Sequence, residues 1–278
     1  MKAAFFDLDK TVIAKASIAA FGRPLRRGGL INRRVLLRAA ISQLLFLQFG
    51  ADEERLARIR QSMLALTKGW ERDRVREIVR ETLLETIEPL IYKEALELME
   101  AHWRAGDRVY LVSASPEEIV LPLAELLGAD GAVCSRGEVD DDGRYTGRMA
   151  FYAYGAAKAE AMAALAERHH LDLAGSSAYS DSATDLPMLE AVGHPVAVNP
   201  DRPLAKIARE RQWEVRQFTK PVRLRDRVTV RTPVLTSIGL AVGAVVLLWR
   251  GRRARLAALP ADRVAGSRPR RAPARTPA

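Results

Sequence analysis

Ala3-Ala4-Phe5-Phe6-Asp7-Leu8-Asp9-Lys10-Thr11 decides how the rest of the chain is read. Four small or aromatic apolar residues predict a short buried strand, and the run ends abruptly in acid. Two carboxylates at i and i+2 of a strand end face the same side and repel, so a cation must sit near them or one must stay protonated. One resolution is a divalent metal with an anionic substrate at the carboxyl end of a parallel strand, where open α/β sheets bind ligands. The other is a strand running into a helix capped by Asp or Thr. The stretch alone leaves both open.

Downstream, strands and helices alternate. A helix stopped by Gly106 precedes a strand over 108–112, which closes on Ser113-Ala114-Ser115-Pro116. A helix over 117–127 stops at Gly128. Ala132-Val133-Cys134 predicts a short strand, and residues 138–147 a hairpin turning at Asp142-Gly143. Its three consecutive Asp lack the later acid of a calcium loop and read as a solvated turn. A helix over 155–169 carries Lys158 in its first turn, and strands are predicted over 176–180, 195–198 and 213–215. This alternation implies an α/β fold, a Rossmann-like parallel sheet with helices on both faces. Residues 16–89 show no strand pattern, with helices predicted over 41–49, 53–67 and 71–88. Helix-only chain directly after a first strand reads as an inserted α-helical cap, since a βαβ crossover needs far less. The predicted organisation is a core of 1–15 and 90–220 with a cap of 16–89.

The net charge of +10 suggests nucleic acid until it is located. Nine Arg and one acid lie between Arg250 and the end, so that tail carries +8 and the remainder +2. A basic tail without aromatic interleaving or a recognition fold gives no specific nucleic-acid reading. One cysteine, Cys134, excludes a disulfide framework and a cysteine-rich metal site. His102, His169, His170 and His194 have no ligand spacing and read as surface residues. The four apolar residues before Asp7 are too few for a secretory signal. Residues 232–249, by contrast, carry no charge and would span roughly 27 Å as a helix, enough for a bilayer. Trp249 and the following Arg cluster suit an interfacial anchor. The expectation is a basic juxtamembrane linker over 221–231, a C-terminal transmembrane helix over 232–249 contacting membrane lipid, and a disordered basic tail over 250–278. The catalytic part would then face the cytoplasm, although basic residues on both sides of the span leave its orientation open on charge alone.

The strand ends and helix starts supply a set in order: Asp7-Leu8-Asp9-Lys10-Thr11, Ser113, Lys158, and Asp181 with Asp185. Singly, each has a bland reading: a turn serine, a solvated helix lysine, an N-cap acid. Together they resemble the haloacid dehalogenase superfamily over roughly residues 1–220, within its phosphoserine phosphatase-like subfamily. The nearer likeness is to an actinobacterial, membrane-anchored branch, some of whose members are called inhibitors of morphological differentiation. The resemblance implies a phosphomonoester hydrolase in which Asp7 attacks phosphorus to form an aspartyl-phosphate. Asp9 would protonate the leaving alkoxide and then deprotonate water. It implies Mg²⁺ held by the Asp7 carboxylate, the Asp9 carbonyl and Asp181, with Ser113 and Lys158 binding the phosphoryl group and Asp185 in an outer shell. Ion pumps of the superfamily lack the second acid, and here Asp9 is present and Val12 replaces their Gly. Phosphoserine phosphatases carry a substrate-reading Glu where this chain has Ala16, and usually Asn where it has Thr184, which disfavours phosphoserine. The anchor would make a lipid-linked phosphate a reasonable substrate. The competing expectation is a membrane-tethered regulator using the fold as a scaffold, for which two repelling carboxylates would have no use.

Overall fold

The computed structural model describes residues 1–31 and 64–219, all within one compact unit, Met1–Asp226. The helix expected over 41–49, most of that over 53–67, the linker, the transmembrane segment and the tail lie outside the described residues, and residues 64–67 are helical. No helix among the described residues is long and apolar enough to cross a membrane. Elements are numbered in chain order among these residues.

Strand β1 (Ala3–Asp7) is buried along its whole length at the middle of a seven-stranded sheet. It pairs in parallel with β2 (Arg108–Pro116) on one side and β5 (Ser177–Ser180) on the other. Beyond β5 come β6 (His194–Val198) and β7 (Glu214–Arg216), both parallel. On the other flank lie β3 (Gly131–Val139), parallel to β2, and β4 (Tyr145–Phe151), which is antiparallel to β3 and forms the edge.

Period-two alternation sends β1 side chains into two separate cores. Ala4 and Phe6 join Val109, Leu111, Tyr179 and Val196 on one face, where α3 (Arg72–Ile87), α4 (Lys93–Ala105) and α5 (Glu117–Leu127) pack. Ala3 and Phe5 join Tyr110, Val112 and Ala178 on the other, covered by α6 (Ala156–His169), α7 (Leu186–Glu190) and α8 (Arg202–Glu210). The Phe6 and Tyr179 rings stack across adjacent strands with centroids 4.3 Å apart. Gly106 and Gly128 end α4 and α5 in left-handed conformations (φ +84° and +75°), which a side chain would strain.

Three local expectations are corrected. Residues 113–116 are not a turn but the end of β2, with a register shift between Ser113 and Pro116 against β3. Such an irregularity bends the strand and re-aims its side chains. Residues 131–139 form one continuous strand rather than two pieces, because its first half pairs with β2 and its second half with β4. His102 is not a free surface residue: its ring nitrogens lie 2.8 Å from Asp107 Oδ2 and 2.8 Å from the Tyr179 hydroxyl, tying α4 to β5.

After β1 the chain leaves through residues 12–14 and returns through 90–92, and these two passages run side by side. The Ala14 amide donates to the Leu90 carbonyl (2.8 Å), and the Tyr92 amide to the Val12 carbonyl (2.9 Å). Between them lie α1 (Ser17–Ala20), α2 (Gly22–Arg27) and α3. Helix α3 shares its apolar face with α5, through Val75, Val79 and Leu83 alongside Ile119 and Leu123. The β3–β4 hairpin also meets this excursion. The Tyr145 amide donates to the Trp70 carbonyl (3.0 Å), and the Gly69 amide to the Tyr145 carbonyl (2.8 Å). Arg144 adds an ion pair to Glu71 and a bond to the Gly69 carbonyl.

Candidate active site

The carboxyl ends of β1, β2 and β5 lie side by side at the centre of the sheet, so the residues that follow them collect at one place. Asp7 pairs in register with Val112, and Ser113 follows at once. Beyond Asp7, three amides (Thr11, Val12 and Ile13) converge on the Leu8 carbonyl, making a tight turn with Lys10 at φ +63°. That turn keeps Asp9 beside the strand end instead of carrying it away on a helix.

Lys158 enters from the first turn of α6 and is almost wholly buried, with 3% of its side chain exposed. Its ammonium lies 2.6 Å from Asp7 Oδ1 and 2.8 Å from Asp185 Oδ2. Asp185 sits at the end of a short 3-10 turn (Ala183–Asp185) and also accepts from Ser180 Oγ at 2.7 Å. A lysine buried this deeply is unusual unless it is paired, and here two carboxylates share it. The solvated-lysine reading is thereby excluded, and Asp185 holds Lys158 directly.

Asp181 follows β5 at the same end, with Lys10 Nζ 3.8 Å from its Oδ2. Its loop is shaped by Asp201, which accepts from Ser182 Oγ and the Ala183 amide (both 3.1 Å) and caps α8 through the Leu204 amide (2.8 Å). The Asp201 amide in turn donates to the Asp181 carbonyl at 2.7 Å. Ser113 is buried and accepts from the Ser115 amide at 3.1 Å. Asp9 is held on both oxygens, Oδ1 by the Ser17 amide (2.8 Å) and Oδ2 by Ser115 Oγ (3.1 Å).

Electrostatics follow from this crowding. Four carboxylates (Asp7, Asp9, Asp181, Asp185) face two ammonium groups (Lys10, Lys158), a formal surplus of two negative charges. Burial pushes the Asp7 carboxyl up to about 8, with Lys158 opposing and Asp185 and Asp9 adding to the rise. Burial likewise pushes Asp181 up to about 6 against the pull of Lys10. Burial alone would lower Lys158, but Asp7 and Asp185 outweigh it and keep it charged. With all four acids ionised the site is short of two positive charges, which a divalent cation could supply.

Among the described residues no three His, Cys, Asp or Glu side chains converge as a metal cluster. A Mg²⁺ ion takes one or two carboxylates and leaves the rest of its shell to water and substrate phosphate. Asp7 and Asp181, with the Asp9 carbonyl, are the oxygen donors available at the strand ends.

All six acid, serine and lysine positions singled out in the sequence thus gather at one end of the sheet. Ser17, Ser115, Ser180 and Asp201 were not. Ser115 was findable, because it lies two residues after Ser113 on one strand and so shares its side. Nothing local marked Ser17 or Asp201.

The family model described as haloacid dehalogenase-like hydrolase matches residues 4–190. The chain is 49% identical over 260 residues to the inhibition of morphological differentiation protein of Streptomyces azureus, covering 91% of this chain and 94% of that one. It is 48% identical over 245 residues to the probable phosphatase Rv3661 of Mycobacterium tuberculosis, covering 88% and 85%. Among solved structures, a phospho-aspartyl intermediate analogue of phosphoserine phosphatase shares the fold, with a TM-score of 0.55, 21% identity, and coverage of 81% of this chain and 96% of that one.

Proposed function

The chain belongs to the haloacid dehalogenase-like hydrolases, as an enzyme of the phosphatase kind, and on that premise we propose that it hydrolyses a phosphomonoester in two steps through Asp7. The observation that carries the reading is Lys158, buried between Asp7 and Asp185. Pairing with Asp7 and Asp185 accounts for its burial, and its place beside the strand-end acid Asp7 puts a fixed cation where an arriving phosphoryl group needs one.

Asp7 attacks phosphorus, and the bond to the leaving oxygen breaks as the aspartyl-phosphate forms. Asp9 gives its proton to the leaving oxygen and then takes one from the water that releases phosphate. Lys158 and the Ser113 hydroxyl bind phosphoryl oxygens, and Asp185 orients Lys158. Mg²⁺, held by Asp7, the Asp9 carbonyl and Asp181, would neutralise phosphoryl charge and keep Asp7 ionised when bound. Ala16, in place of a substrate-reading Glu, argues for a substrate other than phosphoserine. The apolar run at 232–249 supports a bilayer anchor, which makes a lipid-linked phosphomonoester a reasonable substrate beside a small one, and the need for a reducing, Mg²⁺-containing compartment supports the cytoplasmic side for the catalytic part.

The test is hydrolysis of p-nitrophenyl phosphate and a panel of lipid phosphates with Mg²⁺ or EDTA, beside Asp7→Asn. Metal-dependent turnover lost in the variant is expected. Absence of turnover across the panel, together with no rise in melting temperature from Mg²⁺ and beryllofluoride, would favour the regulatory scaffold instead.

A further inference from the structure

Both carboxylate oxygens of Asp9 are held, and both residues that hold them lie outside the acid and lysine set. Ser115 comes from the irregular end of β2, and Ser17 is the first residue of α1, beyond the passage where the chain leaves the core. Their hydroxyl oxygens are 2.6 Å apart, and both side chains are buried. The order of protons along this chain follows when Asp9 is ionised. Ser115 has one hydroxyl proton and spends it on Asp9 Oδ2, so the Ser17 hydroxyl must donate to Ser115 Oγ. The Ser17 amide closes the loop on Asp9 Oδ1. Each carboxylate oxygen thus has one partner that fixes the plane of the group and leaves the remaining lone pairs free.

We propose that Ser17 and Ser115 are positioning residues forming a clasp that aims the Asp9 carboxyl at the leaving oxygen, so that proton transfer works only when α1 is seated against the end of β2. The proposal rests on the assignment of Asp9 as general acid and base. Its consequence is selective. A hydrogen bond to a charged group that is lost from the transition state costs roughly 10- to 100-fold in rate. The loss should fall on esters whose leaving group needs a proton, and spare those whose leaving group departs unaided.

The experiment compares kcat/KM for phenyl phosphate and 4-nitrophenyl phosphate in the full chain with Mg²⁺. The set is wild type, Ser115→Ala, Ser115→Thr, Ser17→Ala, the double Ala variant and Asp9→Asn. This ratio reports phosphoryl transfer to Asp7 without the later hydrolysis. Ser115→Ala should lose about tenfold or more on phenyl phosphate beyond its loss on the nitrophenyl ester. Asp9→Asn should show the same bias more strongly, and Ser115→Thr should restore activity because it keeps the hydroxyl. Ser17→Ala should lose less, since its amide remains. The double variant should be no worse than Ser115→Ala, because the Ser17 hydroxyl acts through Ser115. Equal losses on both esters, no loss, or failure of Ser115→Thr to recover while its melting temperature is unchanged would overturn the clasp. If Asp9→Asn itself shows no ester bias, the assignment of Asp9 falls first. A wild type inert toward both esters and the lipid-phosphate panel, with no rise in melting temperature from Mg²⁺ and beryllofluoride, refutes the phosphatase reading and the clasp with it.

Discussion

Replacing Lys158 by Met removes the ammonium while keeping most of the side chain's length and volume, so the change isolates charge from packing. Lys158 is nearly inaccessible and lies 2.6 Å from Asp7 and 2.8 Å from Asp185. Breaking a buried pair of this kind by removing one partner costs about 3–5 kcal/mol. In a domain of this size that lowers the melting temperature by about 10 °C. The cost depends on pH, and its sign follows from the carboxylates left behind. Asp7 already stands at about 8 with Lys158 present, above its unfolded value of about 3.9. Removing the cation raises Asp7 further. A carboxyl whose folded pKa is raised binds protons in the native state, so stability is highest at low pH and falls as pH rises from about 4 towards the folded pKa. The gap between wild type and Lys158→Met should therefore be wider at pH 9 than at pH 5.5, opening only as pH passes the wild-type Asp7 value of about 8, measured by thermal unfolding in metal-free buffer. Turnover of p-nitrophenyl phosphate should fall by about 10²–10³ or more, the usual loss for one fixed donor to a developing anion. A variant as stable as wild type at both pH values, or one less stable at pH 5.5 than at pH 9, would refute the account of Lys158 as the charge that makes the acid cluster tolerable.

Metal binding should show the linked behaviour. Because Asp7 and Asp181 are raised to about 8 and about 6, Mg²⁺ must displace protons to bind at low pH, so its stabilisation should be larger at pH 8 than at pH 5.5, and equal melting shifts would contradict this. Arg144→Ala removes an exposed ion pair to Glu71 and should cost about 1 kcal/mol or less, since the Tyr145 and Trp70 main chains keep the hairpin in place; a larger drop in denaturant midpoint would show that the side chain, not the backbone pairing, holds it. If residues 232–249 anchor the protein, the full chain should sediment with membranes and a chain ending at Asp226 should stay in the supernatant at any salt concentration. A full chain released by high salt alone would point to the basic tail instead.

Local pattern carried much of the architecture. Apolar runs ending in acid marked the strand ends at Asp7 and Asp181, and Gly106 and Gly128 marked the helix stops, because periodicity and backbone restriction are properties of neighbouring residues, whereas β2 runs past the expected end at Ser113 to Pro116. The order of acids, serine and lysine was also legible, since the chemistry demands those side chains at strand ends of a parallel sheet. Tertiary structure decided what lies between distant residues. Ser17 and Ser115 are 98 positions apart and meet only because the excursion after β1 returns beside its own exit and seats α1 against β2. His102 reaches Tyr179 only once α4 packs on the sheet, and residues 131–139 become one strand only because β2 and β4 each claim half of it. The strength of Lys158 as an observation has the same origin. On its helix it is one lysine among many, and burial between two carboxylates from other elements is what turns it into part of the site.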